Sequence, residues 1–174
     1  MGKTERDLFS GIHALPPFPI VLVTVERNIM TAAAFHFFSF EPPCVMVGII
    51  PRNLTFDLIS DRREFGINIP TKEQLDVVRL CGSVSGRTED KFAKAGLTIQ
   101  KAKVIDSSLI AECPVNIECR VVHQIDFGGS HTWFIGQIQA VHIDETYARD
   151  QALMFWLTEY RSVGEILLKV GPAK

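Results

Sequence analysis

Two polar segments carry the residues best suited to holding an anion. The first, PRNLT (residues 51–55), follows the apolar run CVMVGII and precedes a helical pattern. A helix starting there would aim the free N–H groups of its first turn, the Arg52 guanidinium and the Thr55 hydroxyl at one point, a geometry suited to phosphate. The competing reading is an ordinary helix capped by Asn53, with Arg52 in solvent. The second, CGSVSGRTEDKF (residues 81–92), sets Ser83, Ser85, Gly86 and Arg87 ahead of another helix start, with Lys91 one turn further in. Such a loop lets backbone approach an anion closely while Arg87 and Lys91 add charge, but Ser and Gly also serve plain turns. In FGGSHTWF (residues 127–134), His131 stands beside a flexible turn and an aromatic pair. It either lines the mouth of a site where a planar ligand stacks or sits exposed on the turn.

Other chemistries find no footing. The chain has no GxSxG, HExxH, GxxxxGK[ST] or post-strand GxGxxG pattern. The five histidines are dispersed, and His123 and His142 fall on alternating segments as surface-facing strand positions. Cys44, Cys81, Cys113 and Cys119 lack CxxC spacing and read as buried free thiols rather than a zinc site. A net charge of -2, with scattered basic residues, gives no footprint for nucleic acid. The opening MGKTERDLFS leads into no signal-like apolar stretch, and no apolar run reaches the ~18–20 residues of a bilayer span, so a cytoplasmic protein without membrane contact is expected. The NLT triplet is accordingly not read as a glycosylation site.

The elements that must position these residues are mostly strands. Six runs rich in β-branched and aromatic residues are bounded by Gly, Pro, Asp or Ser: 18–26, 44–50, 65–69, 97–105, 115–126 and 132–144. The last two flank Gly128-Gly129 and read as an antiparallel hairpin. Helical spacing appears in NLTFDLISDRRE, in TKEQLDVVRLCG with Gly82 as a stop, and in TEDKFAKAG closed by Gly96. RDQALMFWLTEY suits a helix, although MFWL would equally join a strand. A nearly charge-free stretch, NIMTAAAFHFFSFEPPCVMVGI, brings small residues and the isolated hydroxyls of Thr31 and Ser39 up to the second strand. At 174 residues and 47% hydrophobic content, one domain spanning 1–174 is expected, built as a closed or nearly closed antiparallel barrel.

In order and spacing, VTVERNIMTAAAFHFFSFEPPCVMVGI, FGINIP, CGSVSGRTEDKF, GLTI, AECPVNIECRV and GGSHTWFIGQI resemble the flavin reductase-like, FMN-binding split-barrel family, in particular its flavoredoxin-type branch. The resemblance runs from about Phe18 to Asp144, with a weaker echo at Tyr160 to Glu165. It implies a mainly β fold: a six-stranded antiparallel split β-barrel of Greek-key character with a few connecting helices. It further implies a homodimer holding FMN noncovalently near the subunit interface. On that pattern the backbone of Met30, Thr31, Ala32 and Ala33 runs along the isoalloxazine edge, and Ser39 reaches the ribityl or phosphate region. Arg52, Asn53 and Thr55 surround the phosphate, Ser85, Arg87 and Lys91 complete the anion site, and Phe92 packs nearby. His131 matches a histidine near the flavin and the nicotinamide pocket, although this chain has GGSH where Gly-Asp-His is common. Three alanines stand where relatives often carry Ser, Thr or Trp, which shifts hydrogen bonding onto backbone.

The activity implied is that of a flavin-dependent oxidoreductase. Hydride or electrons from NAD(P)H or another reduced donor pass through FMN to a small or protein acceptor, with donors such as Thr31 favouring the reduced ring and His131 positioning the donor. The alternative from another class is a non-catalytic split-barrel module that binds flavin or haem for storage, sensing or assembly.

Overall fold

The computed structural model of the chain describes residues 2–168. In chain order the elements are α1 (Leu8–Ile12), β1 (Phe18–Pro19), β2 (Val21–Val25), β3 (Asn28–Ala32), β4 (Phe35–Phe40), β5 (Pro43–Ile49), α2 (Leu54–Arg62), β6 (Glu64–Ile69), α3 (Leu75–Ser83) and α4 (Lys91–Ala95). They continue with β7 (Ile99–Gln100), β8 (Leu109–Ile110), β9 (Val115–Ile125), β10 (Thr132–Ile143), β11 (Leu153–Trp156) and β12 (Glu159–Ser162). Seven strands form one antiparallel sheet in the order β3-β2-β6-β9-β10-β5-β4, curled into a half-barrel so that edge strand β3 meets β5. This is the split-barrel architecture, with seven strands in the main sheet rather than the six expected.

Alternation decides which side chains fill the barrel. Val21, Val23 and Val25 of β2, Val45, Val47 and Ile49 of β5, and Phe65 and Ile67 of β6 are buried in one cluster with Phe134. Helix α2 plugs it with Ile59, and Phe56 meets Phe134 edge to face at 5.6 Å. Strand β2 is buried on both faces, because Ile20, Leu22 and Ile29 pack outward against Val78 and Cys81 of α3 and Phe92 of α4. That second core fixes the α3–α4 connection against the sheet.

The expected hairpin across Gly128-Gly129 forms as β9 and β10, and Gly96 ends α4 in the left-handed conformation at φ 65°. Elsewhere the structure redraws the elements. The small-residue stretch is not an approach to a strand but contains two, β3 and β4, which become the two edges of the sheet. The predicted strand 97–105 shrinks to β7, because carboxylates from the sheet take the backbone N–H groups beyond it. Residues 153–162 form the β11–β12 hairpin, which joins β1 in a separate three-stranded sheet. Helix α3 runs through Gly82 to Ser83, and α4 starts only at Lys91, with Asp90 capping the N–H of Ala93. His123 is exposed as expected, whereas His142 is half-buried and bonded through Nε2 to Glu118 at 2.7 Å. All four cysteines are free and buried. Among the described residues no helix is long and apolar enough to cross a membrane.

Candidate functional site

A cavity of about 770 Å³ opens where β3 and β5 meet the start of α2 and the α3–α4 connection. That volume suits a cofactor-sized ligand. Its lining includes Met30, Thr31, Ala32, Ala33, Arg52, Asn53, Thr55, Ser85, Lys91 and His131, so residues spread over a hundred positions meet at one cavity. Three predicted residues lie outside the lining. Ser39 pairs with Cys44 at the far end of β4, beyond a bulge. Arg87 is drawn away by Asp57 of α2, with Nη2 donating to the carboxylate at 2.5 Å. Phe92 is part of the second core, beneath α4.

The polar end of the cavity is electropositive by construction. Lys91 is buried, its Nζ donates to the Cys81 carbonyl at 2.8 Å, and among the described residues no carboxylate pairs with it. Burial pushes its pKa down, with the Cys81 thiol opposing weakly. Arg52 makes no ion pair with the described residues and lines the same wall. Asn53 occupies the N-cap position of α2 but does not cap it: its Nδ2 donates instead to Met30 Sδ at 3.4 Å. With no side-chain cap and the Phe56 N–H bonded to the Asn53 carbonyl, the N–H groups of Leu54 and Thr55 are left at the start of this nine-residue helix. Thr55 Oγ1 accepts from Asn28 Nδ2 at 2.8 Å, which leaves the threonine proton free to donate. Asn28 Oδ1 is buried with no partner, and Gly86 covers it so closely that a Cβ there would lie 1.9 Å away.

The long wall is the outer face of β5 and the free edge of β3. Val45, Val47 and Ile49 point into the barrel, so Met46, Gly48 and Ile50 line the cavity. Gly48 pairs with Trp133 across the ladder, and a Cβ at Gly48 would stand 3.3 Å from the indole and 3.1 Å from Ala34 Cβ. On the other side, β3 pairs only with β2, so one row of its backbone N–H and C=O groups is open along Met30 to Ala32. Thr31 is turned from that task, because its hydroxyl donates to the Val78 carbonyl of α3 at 2.6 Å. Asn28, Gly48, His36, Trp133 and Trp156 also line the cavity. Sequence pattern points to Trp133, in the aromatic pair beside His131, and to Trp156, whose pair with Phe155 suits either a cover for the ligand or packing, but not to Asn28, Gly48 or His36.

A model of the flavin reductase like domain matches residues 14–164. Flavoredoxin of Desulfovibrio vulgaris (Miyazaki F) superimposes with a TM-score of 0.83 at 33% identity, covering 97% of this chain and 97% of that one. An uncharacterised protein of Archaeoglobus fulgidus is 36% identical over 138 residues, 79% of this chain and 77% of its own length. The reductase component of an FADH(2)-dependent resorcinol hydroxylase from Rhizobium sp. is 29% identical over 119 residues, 67% of this chain and 63% of its own. With the matched model extending from before β1 to beyond β12 over a curled antiparallel half-barrel, the chain belongs to the flavin reductase like domain family.

Proposed function

We propose that this protein binds FMN and acts as an oxidoreductase, taking hydride or electrons from NAD(P)H or another reduced donor and delivering them to a small or protein acceptor. The observation that carries the reading is Lys91, a buried ammonium without a carboxylate at the wall of a cavity large enough for a nucleotide-sized cofactor. An unpaired buried charge is costly, and a phosphate beside it relieves that cost through charge-assisted hydrogen bonds. The residues present fit FMN in other respects too. Asn28 and Gly86 line the same wall, where the lack of a side chain at Gly86 lets its backbone pack directly over Asn28. Bound FMN supplies the redox chemistry through its isoalloxazine ring.

The chain's own residues then bind and orient. Lys91, Arg52 and the uncapped N–H groups at the start of α2 hold the phosphate, with Asn53, Thr55 and Ser85 around it. The open edge of β3 offers backbone donors and acceptors from Met30 to Ala33 to the rim of a planar ring. Because the Thr31 hydroxyl is engaged by α3, backbone N–H groups rather than that side chain favour negative charge on the ring. His131, with Nδ1 held at 2.8 Å from Ser130 Oγ, positions the reduced donor. Arg87, Ser39 and Phe92 have no direct part in this ligand set. A second copy of the chain covers edge strand β4 and completes the surroundings of the cavity. The kinship with a flavoredoxin and with a hydroxylase's reductase component supports the oxidoreductase reading.

Absorbance and fluorescence of the purified protein titrated with FMN give the decisive measurement. Saturable binding, weakened at least a hundredfold in the Arg52→Ala/Lys91→Ala double variant, is expected from the loss of two charged phosphate contacts at roughly 1.5 kcal/mol or more each. Unchanged affinity in that variant would show that the phosphate lies elsewhere. Steady-state oxidation of NADH and NADPH in the presence of FMN separates an oxidoreductase from a module that only binds.

A further inference from the structure

The groups assigned to the phosphate gather where β5 runs out into Arg52 and α2, and the opposite end of the cavity has different chemistry. Along β5 the lining residues Ile50, Gly48 and Met46 mark three rows. Ile50 lies one step past the Thr132–Ile49 pair, beside His131, while Gly48 pairs with Trp133 and Met46 pairs with His36. At about 3.3 Å per residue these rows span roughly 13 Å of strand, with Trp133 and His36 progressively further from the cationic end. Trp156 borders the cavity from the small sheet, its Nε1 donating to the Ile12 carbonyl at 2.9 Å and its ring meeting Phe18 edge to face at 4.8 Å.

Two polar groups at this end have capacity left for a ligand. The Trp133 indole N–H makes no hydrogen bond with the described residues. His36 Nδ1 lies 2.7 Å from the Phe37 carbonyl. A carbonyl only accepts, so Nδ1 carries the proton and the Nε2 of the neutral ring is left as an acceptor. Aromatic walls with one free donor and one free acceptor, and no carboxylate, lysine or arginine in these rows, select a flat, uncharged ring with oxygens on its edge.

We propose that this end of the cavity is the compartment of the electron acceptor and that the acceptor is a quinone. Its ring lies against Trp133 with one carbonyl oxygen accepting from the indole N–H, and a hydroxyl of the product hydroquinone donates to His36 Nε2. The proposal rests on the FMN reading above. Reduction turns two C=O groups into two C–OH groups by uptake of two electrons and two protons. FMN held as proposed would, in its reduced form, be the source of both electrons and one proton, and water would be the source of the second proton.

The chain has two tryptophans, both lining the cavity, so occupancy is readable without turnover. The Trp156→Phe variant leaves Trp133 as the sole indole, and tetramethyl-1,4-benzoquinone, which carries no free ring position for thiol addition, serves as probe. Saturable quenching of Trp133 in the FMN-free variant is expected, as is binding of the probe to FMN-loaded protein in equilibrium dialysis. His36→Ala should weaken binding of the corresponding hydroquinone about tenfold, and Trp133→Phe that of the quinone by a similar factor, the loss of one hydrogen bond each. A circular dichroism spectrum and thermal midpoint like those of the parent report that both variants fold. Purely collisional quenching, or probe affinities that neither substitution moves, would overturn the proposal. Saturable, His36- and Trp133-dependent binding in a protein that fails to take up FMN would support the compartment and remove the FMN reading alone.

Discussion

Lys91 concentrates the argument at the scale of single residues, because its burial and its lack of a carboxylate pull in opposite directions for stability and binding. Lys91→Met keeps the length of the side chain and removes the charge. The thermal midpoint of the FMN-free protein should hold or rise, while FMN binding weakens ten- to a hundredfold, about 1.4–2.8 kcal/mol. Burial holds the lysine below its ordinary 10.5, so FMN affinity should fall on the alkaline side before that pH as the ammonium loses its proton. The variant should lack that alkaline limb, and retention of the limb would assign it to another group. Gly86 gives an independent check. Ala at this position places a Cβ 1.9 Å from Asn28 Oδ1 and should destabilise the fold by about 1–3 kcal/mol in urea melts while weakening FMN. Adding Asn28→Ala should restore stability without restoring affinity, a coupling expected only if the two residues meet as described. The cysteines are a quiet background by comparison, since burial pushes the Cys113 thiol up to about 12. Local pattern found Arg52, Asn53, Thr55 and Lys91 because helix starts after polar loops announce themselves. It could not find Asn28 or His36, which lie in the β2–β3 and β4–β5 hairpins at opposite edges of the sheet and reach one cavity only through the curl of the whole sheet.

Elements were legible where a pattern serves itself and obscure where a distant residue intervenes. The β9–β10 hairpin carries its own alternation and turn, and it forms as read. LTIQKAKVI has strand composition too, yet only Ile99 and Gln100 pair. Glu118 of β9 takes the N–H groups of Lys103, Val104 and Ile105 at 2.8, 2.6 and 3.1 Å, and Glu64 of β6 takes those of Asp106 and Ser107 at 2.8 Å each. A ladder would need the same donors, so the carboxylates replace it and clip the segment to the sheet. Burial alone would raise the pKa of Glu118, but these backbone N–H groups and His142 outweigh it and hold the carboxyl below its ordinary 4.5. A carboxyl depressed in the folded state stabilises the fold above its unfolded value and loses that contribution as pH falls through the folded one. The thermal midpoint should therefore drop as pH falls below 4.5. Glu118→Gln should cost about 3 kcal/mol at neutral pH, as a charged acceptor is replaced by a neutral one, and should flatten the acid limb. An unaltered acid limb in the variant would place the acid sensitivity elsewhere.

Over the whole molecule, the distribution of apolar surface supports the proposed pairing of two chains. Edge strand β4 carries Phe37, Phe38 and Phe40 at 43, 49 and 87% exposure, on a strand whose outer backbone groups have no partner in the sheet. Sequence composition read these rings as part of an approach to the core, since a local pattern does not distinguish a side chain buried by its own chain from one buried by another. The bulge between Phe37 and Ser39 breaks the regular pairing, so neighbouring rings are uncovered together, and Phe37 and Phe40 cluster at 4.3 Å. Isolated chains rarely leave an apolar edge of this kind open, because it invites pairing and aggregation. The same strand contributes His36 to the cavity rim, so a second copy docked on β4 would lie against the ligand site. Light scattering during gel filtration at micromolar concentration should give the mass of two chains. Phe38→Glu/Phe40→Glu should give the mass of one, with a circular dichroism spectrum like that of the parent, since neither ring belongs to the barrel core. If the partner helps to enclose the cofactor, the one-chain variant should also bind FMN more weakly, although neither residue lines the cavity. A one-chain mass for the unsubstituted protein would remove the dimer, and a one-chain variant with full FMN affinity would separate assembly from cofactor binding.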